Sequence, residues 1–267
     1  MPVQARQHFA RMRGGAQAQL MLAEDGHYYV VKFQNNPQHR RVLANELLAA
    51  ALLEHLGLPA APGEIVQVSD GLVAASAALY VETGGRRELC IPGLQFGSRC
   101  PGDPSRLPVY DYLPDALLRQ VANVDSFLGM VAFDKWVSNA NGRQAIFYRD
   151  RAARSFVARM IDHGFAFRAQ HWNFEDRPLV GIYPRPWLYE EVTGYNSFEP
   201  WLGRITECSL EVLDRAARRV PLEWWYEDDL EALERLMLEL YERRKRVPEL
   251  LRAAKSASRD PFPNWRM

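Results

Sequence analysis

The chain has 267 residues, enough for one large domain or two small lobes. Thirty-three basic and 33 acidic residues cancel to a formal net charge of zero, which leaves no electrostatic footprint for nucleic acid or an anionic membrane. Three scattered cysteines suit neither a disulfide framework nor a zinc site, so a reducing cytoplasm is expected; the N-terminal stretch has no signal-peptide core, and the longest apolar run, "LLAAALL", is too short to span a bilayer.

In chain order, "HFARM" and "AQLMLAE" read as strands on either side of "RGGA", and the Asp25-Gly26 turn leads into a third strand, "HYYVVKF". "NNPQ" breaks that strand and opens a helix from about residue 40 to 56, closed by Gly57 and Pro59. "EIVQVS", "LVAASAALYV" and "ELCIPGLQF" are further strand candidates. Residues 97–112 are rich in Gly and Pro and form the expected boundary. Beyond it, helices are expected over about 115–138, 209–219 and 222–245, and all seven tryptophans lie from Trp136 onward. "FVARMID" reads as a buried strand, 176–187 as a Pro-rich loop, and "RDPFPNW" as an extended cap on the surface. The fold class is therefore α+β, with a β-rich part over 1–98 carrying one helix and a mainly helical part over 99–267.

Five positions stand out chemically. Lys32 lies in an apolar strand, where it is either an edge lysine snorkelling to water or a cation aimed at a cleft. Glu46 falls on the helical stripe Val42, Glu46, Ala49, Leu53, and a carboxylate on an apolar stripe is costly without a partner. A strand lysine followed by a helix glutamate about fourteen residues later is either a structural ion pair or the pair that holds a lysine against nucleotide phosphates in phosphotransferases. Gly14 and Gly15, one strand earlier, allow the close backbone approach that a phosphate-covering loop requires, although such pairs also make simple turns. Asp162 ends a buried strand two residues before Gly164; it is either a turn cap or a hard oxygen ligand for Mg²⁺ on a rigid element, with His163 as a spacer.

These pieces in this order resemble the HipA-like kinases, through "RGGAQAQL", "YYVVKFQNNPQHRRVLANELLA", "LQFGSR", "FDKWVSNANGRQAIF" and "MIDHGFAF", which span about residues 10 to 167. The resemblance implies a two-lobed protein-kinase-like fold binding ATP and Mg²⁺ in its cleft and transferring phosphate to a hydroxyl of a protein Ser/Thr or a small molecule. It implies a phosphate loop at Gly14, Gly15, Ala16 and Gln17, phosphate contact by Lys32, support of Lys32 by Glu46, a metal ligand at Asp162 and an interlobe hinge near 95–98 with Gln95 and Phe96. Substitution of Glu46 is then expected to weaken nucleotide binding less than substitution of Lys32. HipA toxins carry an additional N-terminal subdomain, so a toxin role is not carried over.

The family's D-G-H-x-x-N-F aligns with "NGRQAIF" and puts Asn141 where the catalytic aspartate belongs and Ile146 where the metal-binding asparagine belongs. In one frame both groups are lost. Asn141 then orients the acceptor by hydrogen bonding, and Gln144 supplies the missing metal contact. In a second frame the acid has moved, since Asp134 and Asn139 in "DKWVSN" have the catalytic-loop spacing. Against this, Asp134 reads as helical and is suited to bracing the loop through its backbone or Arg143. A kinase fold without turnover, acting as a nucleotide-binding regulatory module, is the runner-up, and a purely structural interaction protein is a third class that would leave Glu46 on its apolar stripe without a clear purpose.

Overall fold

The computed structural model describes residues 1–149 and 155–266. Its β-rich lobe starts with three strands, β1 (Val3–Arg11), β2 (Gln19–Ala23) and β3 (Tyr28–Lys32), each antiparallel to the one before. Helix α1 (Val42–Leu56) follows, then β4 (Gly63–Val68), α2 (Asp70–Ala75), the hairpin β5 (Tyr80–Thr83) and β6 (Arg86–Leu89), and β7 (Gly93–Arg99). The order β1-β2-β3-β7-β4 closes into a barrel through a short parallel pairing of β1 with β4. Strand alternation puts Met21, Ala23, Tyr29, Val31, Val66 and Val68 in one buried cluster. Lys32 and Val30, out of phase with Val31, therefore face outward.

Helix α1 packs on that outer face, and 12 of its 15 residues are buried. Its Ala/Leu-rich sequence favours helix and is apolar nearly all round, the pattern of a helix enclosed by protein. Gly57 ends it in the left-handed conformation, φ 67°, which glycine adopts without a Cβ penalty.

The second lobe contains β8 (Val109–Tyr110), α3 (Asp115–Leu118), α4 (Ser126–Val137), the hairpin β9 (Gln144–Arg149) and β10 (Phe156–Ile161), then α5 (Trp201–Thr206), α6 (Leu210–Ala217), α7 (Asp229–Arg243) and α8 (Val247–Lys255). β9 and β10 pair from Gln144↔Ile161 to Arg149↔Phe156, so the chain enters and leaves the hairpin at one end. The buried α4 and the whole inner face of α1 share one large apolar core. No helix among the described residues is long and apolar enough to cross a membrane.

Several sequence expectations are corrected. "LVAASAALYV" is a short helix, α2, followed by β5; the Ser69 hydroxyl accepts from Leu72 N at 3.2 Å and caps the helix against the local strand propensity. "ELCIPGLQF" splits into β6 and β7 around Pro92 and Gly93, the latter at φ 112°. The helix expected over 115–138 is broken between α3 and α4. There Asn123 leaves helical geometry to bond both backbone groups of Ala158, at 2.9 and 2.8 Å. The long final helix starts at Asp229, not 222, while α5 and α8 have no counterpart in the sequence reading. The tail is no surface cap: Phe262 is fully buried, edge-on to Tyr189 and Phe198, and Trp265 is nearly so, tilted against Phe198.

Candidate functional site

Lys32 stands at the centre of the cleft. Its Nζ donates to Glu46 Oε1 in a short contact and to Asp162 Oδ1 at 2.8 Å. Burial alone would lower the pKa of this ammonium, but Glu46 and then Asp162 outweigh it and hold Lys32 above its ordinary value, fully charged. Three distant segments, β3, α1 and the end of β10, thus meet at one nitrogen. Glu46 does more than pair with lysine. Its Oε2 accepts from His163 N at 3.1 Å and its Oε1 from Gly164 N at 3.0 Å. The turn after Asp162 hangs on the same carboxylate. Gly164 is required there, since a Cβ would come within 2.5 Å of Val42 Cγ2.

Asp162 has a left-handed backbone, φ 60°, an unusual conformation for a residue with a side chain. Besides Lys32 it receives Asn141 Nδ2 at 3.3 Å and Gln144 Nε2 at 2.7 Å, both on Oδ2. Asn141 and Gln144 therefore converge with Lys32 on Asp162. Ile146, two residues beyond Gln144 on the same strand face, presents an apolar floor rather than a polar ligand.

Asp134 and Asn139 lie elsewhere. Asp134 is completely buried; Arg143 grips it through Nε at 2.9 Å and Nη2 at 2.5 Å, and Asn139 Nδ2 adds a third bond at 3.0 Å. Asn139 Oδ1 in turn accepts from Asn141 N at 3.1 Å. Asp134 is also covered by the 176–182 segment, where Gly181 (φ 81°) approaches so closely that a Cβ would lie 2.5 Å from Asp134 Cβ. The relocated-acid frame is therefore corrected: both oxygens of Asp134 are committed to the loop. Asn139 is corrected as a metal ligand, because its amide is fully engaged. Arg143 is a buried brace, bonded also to Ile161 O at 3.2 Å and His163 Nδ1 at 3.1 Å, and does not reach the cleft as a catalytic group. Burial, reinforced by Arg143, holds His163 well below its ordinary pKa and hence neutral.

Three further expected residues are placed differently. Gln95 is fully buried in β7, accepting from Gln34 N at 2.8 Å and donating to Ile91 O at 2.8 Å. Phe96 pairs across from Lys32 but is buried in the core against α1. β7 is an inner strand bonded on both edges, so 95–98 is no hinge. Gln17 turns its side chain to Glu82, bonding Glu82 O and N at 2.8 and 2.7 Å. Gly14, Gly15 and Ala16 form the β1–β2 turn. Gly14 is open and left-handed at φ 113°, and Ala16 O accepts from Asn36 Nδ2 at 3.0 Å.

Three residues were missed by the sequence reading. Asn45, completely buried beside Glu46, donates to Gly164 O, Ala166 O and Ala169 O at 2.8–3.0 Å and accepts from Trp172 Nε1 at 2.7 Å. Arg41 bonds the buried Asp229 at 2.9 Å and Gln170 O at 2.7 Å, which ties α1 to α7. His39 donates to Gly164 O at 2.9 Å and is pushed down to about 4 by burial. An asparagine inside an Ala/Leu helix was the available signal for Asn45, since a buried amide there needs partners.

Among the described residues no cluster of three or more His, Cys, Asp or Glu side chains could hold a metal ion. A hard cation at Asp162 would have to draw its other oxygens from carboxamides. Gln144 fits that need, because a half-turn of its amide replaces NH₂ by a carbonyl oxygen, whereas Asn141 Oδ1 already accepts from Gly142 N at 2.9 Å. Beside Asn141 opens a cleft of about 630 Å³ walled by residues 140–142, 176–182 and 257–258. The Pro-rich segment thus borders Asn141, anchored by Lys135, whose Nζ donates to the carbonyls of Arg177 and Pro178. Burial pushes the Lys135 ammonium down to about 7.

A family model described as HipA-like kinase matches residues 8–250. The fold is similar to that of the Helicobacter pylori proinflammatory kinase CtkA, with a TM-score of 0.53 and 12% identity over 96% of this chain and 97% of that one. It is also similar to a Golgi casein kinase with Mn/ADP bound, with a TM-score of 0.50 and 13% identity over 92% of this chain and 72% of that one. At such identities the likeness is one of fold. No curated protein matches the chain in sequence.

Proposed function

We propose that this chain, which belongs to the HipA-like kinase family, binds ATP with Mg²⁺ between its lobes and transfers the γ-phosphoryl group to a hydroxyl. The observation that carries this reading is the Lys32 ammonium, held between Glu46 and Asp162 and kept charged. A buried cation fixed by carboxylates from two other elements is a prearranged counter-charge for phosphate.

The roles follow from position. Lys32 meets the phosphates, and Glu46 fixes both Lys32 and the turn that aims Asp162. Asp162 and Gln144 would hold Mg²⁺, which when bound neutralises phosphate charge. Val30, on the outward face with Lys32, and Ile146 supply apolar surface for a base. Asn141 orients the accepting hydroxyl but takes no proton. Phosphoryl transfer through a loose transition state depends mainly on positioning and charge, so the hydroxyl proton can leave late to a phosphoryl oxygen or water. The acceptor enters through the cleft bordered by 176–182.

A thermal-shift titration tests the binding step. At about 100 times Kd a ligand stabilises by about 2.7 kcal/mol, and the expected rise in Tm is about 5–10 °C. No shift with Mg·ATP would refute the reading. Release of labelled phosphate tests the transfer step. A nucleotide-binding module without turnover is the second reading, and the observation in its favour is that no carboxylate stands at position 141.

A further inference from the structure

We infer that Ser258 is a hydroxyl acceptor for the chain's own phosphotransfer, an inference that rests on the reading above. The cleft beside Asn141 is walled on its third side by Ala257 and Ser258. Among the described residues lining it, Ser258 carries the only hydroxyl. It is exposed, at the tip of a short loop following α8. Both ends of that loop are fixed. Lys255 Nζ bonds Asp260 Oδ2 at 2.6 Å and Phe262 O at 2.9 Å, Asp260 Oδ1 accepts from Phe262 N at 2.8 Å, and Phe262 is fully buried. The hydroxyl is therefore held over the cleft and not carried on a free tail.

The charges around it suit a phosphoserine. Arg177 lines the same cleft and Arg259 follows Ser258 directly. Among the described residues Arg177 pairs with Glu175, a solvent-facing and weak pair that a phosphate dianion can displace. The one acid of the lining, Asp176, already bonds Arg243 and Arg246 at 2.7 and 2.6 Å and is held below its ordinary pKa despite partial burial.

In the transfer, Ser258 Oγ forms the new bond to the γ-phosphorus while the bond to the β–γ bridging oxygen breaks. ADP leaves with that electron pair. The hydroxyl proton passes to a phosphoryl oxygen and then to water, with Asn141 orienting the hydroxyl. The resulting phosphoserine fills the acceptor cleft, so the reaction limits later transfer to other acceptors.

The test uses the full chain, treated with phosphatase and then incubated with Mg·ATP, and reads intact mass and peptide maps. The expected result is one phosphoryl group on Ser258, added at a first-order rate independent of protein concentration. It should persist in Ser256→Ala and vanish in Ser258→Ala and Asp162→Asn. Three outcomes overturn the inference: phosphate at another residue that persists in Ser258→Ala, a rate per molecule proportional to protein concentration, or no incorporation although calorimetry shows Mg·ATP binding. The last leaves nucleotide binding standing, whereas absence of binding refutes the underlying reading itself.

Discussion

Replacing Glu46 by alanine separates its two duties. The carboxylate is 3% exposed and takes the Lys32 ammonium plus the N–H groups of His163 and Gly164. Truncation leaves two buried backbone donors unpaired, each costing about 1–3 kcal/mol. Lys32 keeps Asp162 at 2.8 Å, so the full penalty of about 3–5 kcal/mol for stripping a buried ion pair does not apply. Water entering from the cleft recovers part of the loss, which gives about 2–4 kcal/mol for Glu46→Ala. Lys32→Met should cost about 3–5 kcal/mol, because it leaves the buried Glu46 carboxylate beside Asp162 without the ammonium that both share. Urea unfolding of both variants without nucleotide measures the two losses, and that of Glu46→Ala should lower Tm by about 4–16 °C. If Glu46→Ala loses under about 1 kcal/mol, Glu46 is not the anchor of the Asp162 turn.

Asn141→Asp should raise turnover by up to about 10²–10⁴-fold, the usual worth of a positioned base, measured as labelled phosphate released; unchanged turnover would show that the missing carboxylate is not limiting. Asp134→Asn should act on folding, leaving the buried Arg143 charge unpaired at a cost of about 3–5 kcal/mol in urea unfolding. A stable variant that loses only turnover would restore Asp134 as the catalyst. His39 gives a pH dependence. It titrates near 6.5 unfolded and about 4 folded, so below about 6.5 the unfolded chain binds the extra proton and stability falls until about 4. The loss is about 3 kcal/mol, and His39→Gln should show a correspondingly shallower acid decline in unfolding curves.

Local signals made part of this architecture readable. The Asp25-Gly26 hairpin, α1 with its Gly57 cap and the strand ending at Asp162 each carry a signature within a few residues. Lys32 and Glu46 were visible because a charge in an apolar pattern demands a partner. What the sequence hid depends on tertiary partners. Asn123 breaks a helix to bond Ala158, 35 residues away. Asn45 and Arg41 serve segments more than 100 residues distant, and no local pattern names those segments. Gln95 and Phe96 were misread as a hinge because pairing of β7 on both edges is a property of the closed barrel, not of the string "LQFGSR".

The altered loop changes the charge of the cleft, and that bears on how it meets a nucleotide. Asp134 and Arg143 neutralise each other out of solvent. What remains charged in the cleft is Lys32, Glu46 and Asp162, with one negative charge in excess. A carboxylate at 141 would make that excess two, beside the place where the proposed function puts the γ-phosphate. Like charges at such range are strongly unfavourable. Asn141 therefore gives up a base but removes repulsion, and its amide donates to Asp162 Oδ2 where a carboxylate would oppose it. Under the proposed function, nucleotide binding and proton removal are thus set against each other at one residue, and Asn141→Asp should gain turnover only as far as Mg²⁺ offsets the added charge.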